Sequence, residues 1–237
     1  MKALILAGGP DARPQTVVAD RLKTMAKVAG RPFLQYQVER LRRQGFDRLV
    51  FCLGYRAAQV AEYFGDGQDW GVHIEYAVED EPLGTAGAIR NAQHLLDGPF
   101  VLLNGDSFLD ADLGQVVAAH QRRAHLSGMA GTLATVFVEN ASGFGTLLLG
   151  HDLRVQSFRE KSTARWGWVN AGAYVFQPTL LDYIPAGRAA SLEREVLPGL
   201  LASGRRLFAC PLAGFFVDIG TPEGNSRFQE YAQHCLA

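Results

Sequence analysis

The chain has 237 residues, which is enough for one large domain with a sizeable hydrophobic core. Hydrophobic residues make up 48% of it, charged residues 20%, and the formal net charge is -1, which indicates an ordinary globular protein and argues against a nucleic-acid-binding protein. No apolar run approaches the roughly 20 residues of a membrane span, and the first residues lack a signal-peptide pattern, so we expect no membrane partner.

Strand-like and helix-like segments alternate through the first half of the chain. Strands are predicted at 2–7, 48–54, 72–78 and 99–106, and helices at 32–45, 57–64 and 85–96. Apolar strands that alternate with helices predict a parallel sheet covered on both faces. Ligands of such sheets bind at the carboxyl ends of the strands, so the candidate site belongs there.

The second half has a different pattern. Strand-like segments with short connections occupy 131–139, 145–149, 154–158 and 168–176, which indicates a mixed or partly antiparallel extension of the sheet. Helices are predicted at about 192–203 and 222–235. The sequence shows neither an internal repeat nor the hexapeptide pattern of a β-helix.

The cysteine residues indicate whether the protein belongs to a reducing or an oxidising cellular compartment. Cys52, Cys210 and Cys235 are far apart and show neither metal-ligand spacing nor a disulfide framework. A reducing cytoplasm is the simplest interpretation. We therefore expect a cytoplasmic protein that forms a single domain over residues 1–237.

The loop after the first strand is the first candidate binding element. Gly8 and Gly9 let the backbone approach a ligand closely, and exposed N–H groups in such a loop bind phosphate oxygens. Arg13 offers multi-donor phosphate binding and Lys23 a mobile charge. The pattern matches neither common glycine-rich phosphate motif, and a simple turn with two solvated cations explains these residues equally well.

Two aspartates are candidate metal ligands. Asp106 follows the buried strand at 99–106, and Asp218 follows another apolar run. A carboxylate at the end of a strand suits Mg²⁺, which prefers one or two carboxylates together with phosphate oxygens and waters. A helix N-cap or an Asx turn is the alternative for Asp106, and spacing in the sequence does not prove that the two residues meet.

Three further segments carry polar residues with two interpretations each. In EDEPLGTAGAI, Gly84 and Thr85 open a helix whose N-terminus faces either a ligand or solvent, with Glu79 just before it. In SFREKS, Glu160 and Lys161 suit a sugar phosphate or a plain surface turn. Asn170 is a polar residue inside an apolar strand, where its amide needs a partner, and a ligand is one such partner.

Seven segments together resemble the sugar-1-phosphate nucleotidyltransferases, also called NDP-sugar pyrophosphorylases. In chain order they are LAGG, VAGRPF, EDEPLGTAGAI, NGD, REK, NAGAY and VDIGTPEG, and they run from residue 3 to about 230. The resemblance implies an α/β fold of the nucleotidyltransferase or glycosyltransferase-A type, with a Rossmann-like mixed, mainly parallel sheet and helices on both faces. It also implies the reaction NTP + sugar 1-phosphate → NDP-sugar + pyrophosphate, which needs no covalent intermediate.

The resemblance also implies a role for each candidate residue. Arg13 would bind the β- and γ-phosphates, Lys23 the α-phosphate and Lys161 the sugar phosphate. Asp106 and Asp218 would hold Mg²⁺ as the cofactor. The nucleotide-binding residues would be Leu6, Ala7, Gly8, Gly9, Glu79, Gly84 and Thr85, and the sugar-binding residues Asn104, Gly145, Glu160 and Asn170.

The phosphate loop departs from the family pattern. Asp11 replaces the second loop glycine, Ala12 a threonine and Pro14 a leucine, while Arg13 and Lys23 are kept. A carboxylate about 5 Å from a phosphate would cost about 3 kcal/mol at an effective dielectric of about 20, so we expect Asp11 to face solvent or to pair with a cation. A non-catalytic sugar-phosphate or nucleotide-binding relative is the alternative.

Within the family, the segments are most similar to small guanylyltransferases that act on heptose 1-phosphates. This favours GTP and either D-glycero-D-manno-heptose 1-phosphate or mannose 1-phosphate, for surface polysaccharide synthesis. Glu79 lies five residues before Gly84, where a carboxylate would accept hydrogen bonds from guanine N1–H and N2–H₂. A uridylyltransferase for an amino-sugar 1-phosphate is a further alternative, and a homodimer is compatible with this hypothesis.

Overall fold

A computed structural model describes residues 1–9, 22–141, 144–159 and 166–236. The strands in these ranges are β1 (Ala3–Leu6), β2 (Lys27–Val28), β3 (Arg31–Pro32), β4 (Arg48–Leu53), β5 (His73–Val78), β6 (Phe100–Asn104), β7 (Ser107–Asp110), β8 (Met129–Val138), β9 (Thr146–Leu149), β10 (Val155–Arg159), β11 (Gly167–Phe176), β12 (Arg206–Pro211) and β13 (Phe215–Asp218). The α-helices are α1 (Phe33–Arg43), α2 (Ala57–Phe64), α3 (Gly84–Asn91), α4 (Gly114–Arg123), α5 (Leu197–Ala202) and α6 (Pro222–Cys235).

Short helical turns complete these elements. The 3₁₀ turns are Lys23–Met25, Gln68–Trp70, Ala92–Leu95 and Pro178–Tyr183, and a π-helical turn at Leu192–Val196 leads into α5. None of the helices in the described ranges combines the length and the apolar character needed to cross a membrane.

The central sheet has a parallel core of four strands. In spatial order β6, β1, β4 and β5 lie side by side, with Leu6 opposite both Cys52 and Asn104. On the far side of β6, β11 runs antiparallel and also pairs with β8 and β9, and β12 runs parallel to β8. The carboxyl ends of the four parallel strands therefore meet at one edge.

Both faces of this sheet are covered because its strands are apolar on both sides. One buried cluster packs the sheet against α1, α2 and α4, through side chains such as Val38, Phe64 and Val116. The other packs it against α3, α5 and the turn Pro178–Tyr183, through side chains such as Ile89 and Leu200. The predicted mixed sheet with helices on both faces is confirmed.

A separate two-stranded ribbon of β7 and β13 lies beside the carboxyl edge. Its apolar side packs in a third cluster against α1 and α6, where the rings of Phe33 and Phe228 meet edge to face at 4.8 Å. Thr221 caps α6 by accepting from the Gly224 amide at 2.9 Å, with Pro222 as first helical residue. The ribbon and α6 thus bring the C-terminal region to the sheet edge.

Most predicted elements are confirmed within a few residues, with two differences. Helix α4 and strands β2, β3, β7 and β12 were not predicted. The helix begins at a glycine, Gly114, and β7 has only four residues, so neither shows a clear periodic pattern. The predicted helix at 192–203 begins with the π-helical turn instead. All three cysteines are free thiols.

Candidate active site

A cavity of about 330 Å³ lies at the carboxyl edge of the parallel strands. It is walled by the loop ends of β1, β4 and β6, by the turn after β5 and by the start of α3. The lining residues are Leu6, Gly8, Gly9, Lys23, Thr24, Cys52, Glu79, Pro82, Gly84, Thr85, Ala88, Asn104, Gly105 and Asp106. The sheet topology thus gathers predicted nucleotide, sugar and metal residues in one place.

The glycine loop enters the cavity through a close backbone contact. A methyl group at Gly8 would lie 2.5 Å from the backbone nitrogen of Gly54, so only glycine fits there. Ala7 is fully buried, and its amide donates to the carbonyl of Cys52 at 2.9 Å, so it supports the loop from behind. Around Gly9 the space is open, since a methyl group there would have no described heavy atom within 4 Å. The open part of the loop is therefore at Gly9.

Helix α3 begins with a residue that has to be glycine. Gly84 has φ +69°, in the left-handed region, and a methyl group there would lie 2.6 Å from the carbonyl oxygen of Ala190. The segment around Ala190 is hydrogen-bonded to the helix start: the Ala86 amide donates to its carbonyl at 3.0 Å, and its own amide donates to Leu83 at 2.9 Å. The end of α3 that lines the cavity is therefore fixed by a distant part of the chain.

Glu79 lies half-buried in the cavity wall, at the end of β5. Its Oε2 accepts a hydrogen bond from the Leu83 amide at 3.2 Å, and a methyl group at Gly54 would lie 2.8 Å from its Oε1. Burial raises the pKa of Glu79, and the hydrogen bond from Leu83 partly opposes this effect. The carboxylate is therefore held at the cavity by its own turn.

The two predicted metal ligands are brought together by the β7–β13 ribbon. Asp218 is paired with Ser107, the residue after Asp106, and the Ile219 amide donates to the backbone oxygen of Asp106 at 2.9 Å. The Gly220 amide donates to Asp218 Oδ1 at 2.6 Å, which orients that carboxylate. Two aspartates far apart in the sequence therefore lie at adjacent positions of one strand pair.

Lys23 lies next to both aspartates. Its Nζ is 3.3 Å from Asp106 Oδ2, and a methyl group at Gly220, beside Asp218, would lie 3.3 Å from the same Nζ. The Lys23 and Asp106 side chains are 24% and 34% exposed, so both are reachable from the cavity. The described ranges contain no group of three or more metal-ligating side chains, so the donor set here is a carboxylate pair.

Gln37 holds the loop that carries Asp106, and its role was not predicted from the sequence. In this fully buried residue of α1, the two hydrogens of Nε2 are shared among the carbonyls of Asn104, Gly105 and Ser107 at 3.3, 3.2 and 3.2 Å. A glutamine between apolar residues on the inner face of a predicted helix was the only signal for it.

The predicted sugar side is built around Tyr174. Asn170 Nδ2 donates to the Tyr174 hydroxyl at 2.6 Å, and Asn170 Oδ1 accepts from the Gly172 amide at 3.1 Å. Burial and the nearby Glu193 raise the pKa of Tyr174 well above its usual value, so the phenol stays protonated. Asn104 Oδ1 is buried and has no hydrogen-bond partner in the described part of the chain. An unpaired amide oxygen at the cavity is available to a ligand hydroxyl.

Glu193 is a second residue that the sequence did not single out. Its Oε2 accepts from the Thr85 hydroxyl at 3.0 Å, and its Oε1 accepts from the Tyr174 hydroxyl at 3.4 Å. The Leu192 amide in turn donates to Thr85 Oγ1 at 2.7 Å. The residue thus joins the start of α3 to β11, and no local pattern could have revealed such a long-range contact.

Several predicted site residues lie outside the described residues. These are Arg13, Glu160 and Lys161, together with Asp11 of the altered phosphate loop. Gly145 is described, is exposed and directly precedes β9, but it does not line the cavity. The roles assigned to these five residues stay predictions.

Comparison with known proteins identifies the family. A family model described as nucleotidyl transferase matches residues 2–232. The chain therefore belongs to the nucleotidyl transferase family. The resemblance that the sequence segments indicated, to the enzymes that join nucleotides to sugar 1-phosphates, is confirmed at this level.

Particular relatives have similar sequences or structures. D-glycero-alpha-D-manno-heptose 1-phosphate guanylyltransferase of Aneurinibacillus thermoaerophilus is 31% identical over 238 residues, covering 100% of both chains. Mannose-1-phosphate guanylyltransferase of Mycobacterium tuberculosis is 36% identical over 225 residues, covering 93% of this chain and 61% of that protein. A crystal structure of HddC from Yersinia pseudotuberculosis complexed with GMP-PN has a TM-score of 0.84 and 28% identity, covering 97% of this chain and 98% of that one. The chain spans about three fifths of the length of several curated relatives.

Proposed function

We propose that this chain transfers a nucleoside monophosphate from an NTP to a sugar 1-phosphate. An oxygen of the sugar phosphate attacks the α-phosphorus, the bond from that phosphorus to the β-bridging oxygen breaks, and pyrophosphate leaves. The observation that supports this proposal is the convergence of Lys23, Asp106 and Asp218 beside a cavity that the glycine loop also lines. Positive charge and paired carboxylates are what a site for two phosphorylated substrates needs.

The carboxylate pair fits Mg²⁺ as the cofactor. Asp106 and Asp218 supply two acidic side chains at adjacent strand positions, and Mg²⁺ is commonly bound by one or two carboxylates together with substrate phosphates and waters. Lys23 Nζ lies 3.3 Å from Asp106 Oδ2, which indicates that positive charge is favourable beside this carboxylate. When bound, Mg²⁺ would neutralise phosphate charge and align the reacting groups.

The protein residues then act by position and charge. Lys23 would stabilise the charge that develops on the α-phosphate, and the exposed backbone at Gly8 and Gly9 would contact the nucleotide phosphates. The buried oxygen of Asn104 would accept a hydrogen bond from a sugar hydroxyl. No covalent enzyme intermediate is required, because the acceptor phosphate is itself a nucleophile.

GTP is the proposed nucleotide. A half-buried carboxylate at Glu79 can accept from the adjacent N1–H and N2–H₂ of guanine, whereas it would repel O4 of uracil or thymine. Two of the relatives named above are guanylyltransferases, of a heptose 1-phosphate and of mannose 1-phosphate. We propose these two sugar phosphates as acceptors, with the product used for surface polysaccharide.

Two alternatives compete with this proposal. The altered phosphate loop with Asp11 favours a non-catalytic binding protein, but such a protein would not need the carboxylate pair and the adjacent Lys23. The other is a uridylyltransferase for an amino-sugar 1-phosphate, which the carboxylate of Glu79 disfavours.

A substrate panel tests all three. Pyrophosphate release is measured with GTP, UTP, dTTP and ATP, each combined with heptose, mannose, glucose and N-acetylglucosamine 1-phosphates, with and without Mg²⁺. We expect the highest kcat/KM with GTP and a manno-configured sugar, and no turnover without Mg²⁺. Binding of GTP by calorimetry without pyrophosphate release from any pair would favour the non-catalytic relative. Light scattering after gel filtration measures the predicted homodimer.

A further inference from the structure

Thr85, at the start of α3, is connected to β11 by a continuous chain of hydrogen bonds behind the cavity. The Thr85 hydroxyl donates to Glu193 Oε2 at 3.0 Å, and the Tyr174 hydroxyl donates to Glu193 Oε1 at 3.4 Å. Tyr174 accepts from Asn170 Nδ2 at 2.6 Å. Thr85 lies on the predicted nucleotide side and Asn170 on the predicted sugar side, so one carboxylate bridges the two halves of the site.

The direction of every hydrogen bond in this chain follows from Glu193. A carboxylate only accepts, so both hydroxyl protons must point toward it. The oxygen of Tyr174 is then left to accept from the Asn170 amide nitrogen, and the other amide atom, Oδ1, faces the Gly172 amide at 3.1 Å. Glu193, acting through Tyr174, and the Gly172 amide therefore require the same orientation of the Asn170 amide.

The bridge is also rigid. Thr85 is held a second time, because its Oγ1 accepts from the Leu192 amide at 2.7 Å. Ala190, in the same segment, makes backbone hydrogen bonds with both Leu83 and Ala86 around the start of α3. The segment 190–193 thus cannot shift without moving the glycine that opens the helix. Glu193 itself does not line the cavity, so it acts through its neighbours.

We propose that Glu193 is a positioning residue that couples the nucleotide-binding start of α3 to the sugar-binding face of β11, so that each substrate strengthens the binding of the other. This inference rests on the proposed function. A nucleotide that orders the start of α3 also orders Thr85, Glu193 and Tyr174, and the sugar phosphate then meets a preformed Asn170. By linkage, the effect is equal in the reverse direction.

The test compares Glu193→Gln with Glu195→Gln, a matched control in the same turn. Glu195 is exposed and contacts Arg188 and the Ser191 amide, but makes no hydrogen bond to the described residues of α3 or β11. Glutamine has nearly the same shape as glutamate, but its amide group donates, so one hydroxyl must reverse. Calorimetry measures the Kd of a non-cleavable α,β-methylene GTP analogue with and without mannose 1-phosphate.

In the wild-type chain we expect mannose 1-phosphate to tighten analogue binding by about tenfold, within the usual range of coupling between sites. In Glu193→Gln we expect this factor to fall below about twofold, with KM raised for both substrates, and in Glu195→Gln we expect it to be unchanged. Retained coupling in Glu193→Gln would overturn the inference while leaving the proposed function intact. A wild-type chain that releases no pyrophosphate in the substrate panel would instead contradict the proposed function.

A second variant covers the case in which Glu193→Gln does not fold. Tyr174→Phe removes one hydroxyl and keeps the ring, so Thr85 stays bonded to Glu193 while the link to Asn170 is cut. We expect the same loss of coupling with a melting temperature near that of the wild-type chain. If both variants fold, the double variant should lose no more coupling between the two ligands than either single variant, since both substitutions break the same chain of hydrogen bonds. Additive effects would contradict a shared role.

Discussion

The ammonium of Lys23 lies 3.3 Å from a carboxylate oxygen of Asp106, although the two residues are 83 positions apart in the sequence. Lys23 belongs to a 3₁₀ turn after β1, and Asp106 follows β6. Because β1 and β6 are parallel neighbours, the chain leaves both strands at the same edge. Strand order therefore places the ends of β1 and β6 at one edge, and the short distance between Lys23 and Asp106 makes the site sensitive to any change in either charge.

Removing either carboxylate of the proposed metal site should stop the proposed reaction without unfolding the protein. For Asp106→Asn and Asp218→Asn we expect kcat to fall by about 10²–10³-fold, as for other groups that stabilise transition-state charge. Pyrophosphate release at saturating Mg²⁺ and the melting temperature are measured together. Asp112→Asn is the control, since Asp112 is exposed and its side chain accepts from the Gly114 amide. Near-normal activity in either active-site variant would exclude the carboxylate pair as the metal site.

Loss of Gln37 should impair catalysis from a distance. Gln37→Ala leaves three carbonyls of the 104–107 loop without their donor, which we expect to cost about 1–3 kcal/mol of stability. The loop then holds Asp106 less firmly, so kcat should fall more than KM rises. Gln35→Ala on the same helix, which loses contacts to Glu39 and Tyr63, is the comparison. Equal kcat values for the two variants would show that Gln37 does not position the loop.

Base selection should depend on the carboxylate of Glu79. In Glu79→Gln the amide presents a donor to guanine, so we expect kcat/KM for GTP to fall by about 10²-fold, with little change for UTP. Glu81 is exposed, so Glu81→Gln should leave kcat/KM for GTP and for UTP unchanged. Steady-state kinetics with GTP and with UTP, at a fixed sugar phosphate concentration, give the ratio of the two kcat/KM values. A preserved preference for GTP would place base recognition elsewhere.

His120 should make the fold less stable in mild acid. It is buried, with Nε2 2.9 Å from Gln177 Nε2 and Nδ1 3.3 Å from Thr132 Oγ1, and burial lowers its pKa from 6.5 to about 4. Below pH 6.5 the unfolded chain takes up a proton that the folded chain does not bind. The free energy of unfolding should therefore decrease from pH 6.5 to 4, by at most about 1.4 kcal/mol per pH unit from this residue.

Urea denaturation at several pH values measures this slope. His120→Asn should reduce it between pH 6.5 and 4, at some cost in stability at neutral pH because the new side chain fills the site less well. His125→Asn, at an exposed position, should leave the slope as in the wild-type chain. If the free energy of unfolding of His120→Asn depends on pH as it does in the wild-type chain, other titratable groups dominate the loss of stability in acid.

Local patterns in the sequence predicted most of the strands and the edge where ligands gather, and the family resemblance named most of the residues that line the cavity. Apolar runs ending in glycine or aspartate, such as those before Gly8 and Asp106, indicate a strand and the loop that follows it. The meeting of Asp106 and Asp218 was only a hypothesis, since it depends on a strand pair between distant segments. The family resemblance, rather than spacing, was what favoured it.

The supporting residues were not predictable in the same way. Gln37 and Glu193 have partners that lie far away along the chain, and neither residue stands in a pattern that marks it. Glycine at position 84 was predicted to open a helix, but the carbonyl of Ala190 that excludes any larger residue became visible only in three dimensions. Tertiary contacts therefore decide which residues support the site, whereas local sequence decides most of those that line it.

The long stretch of chain between Asp106 and Asp218 has a consequence for synthesis on the ribosome. The strand that carries Asp218, β13, pairs with β7 and packs under α6, and both contacts are needed to place the second carboxylate beside the first. A nascent chain that ends after β6 can already pair the four parallel strands, although it lacks the segment around Ala190 that fixes the start of α3. It still lacks half of the carboxylate pair until β13 and α6 have left the exit tunnel. The proposed nucleotide turnover is thereby restricted to chains whose synthesis has passed α6.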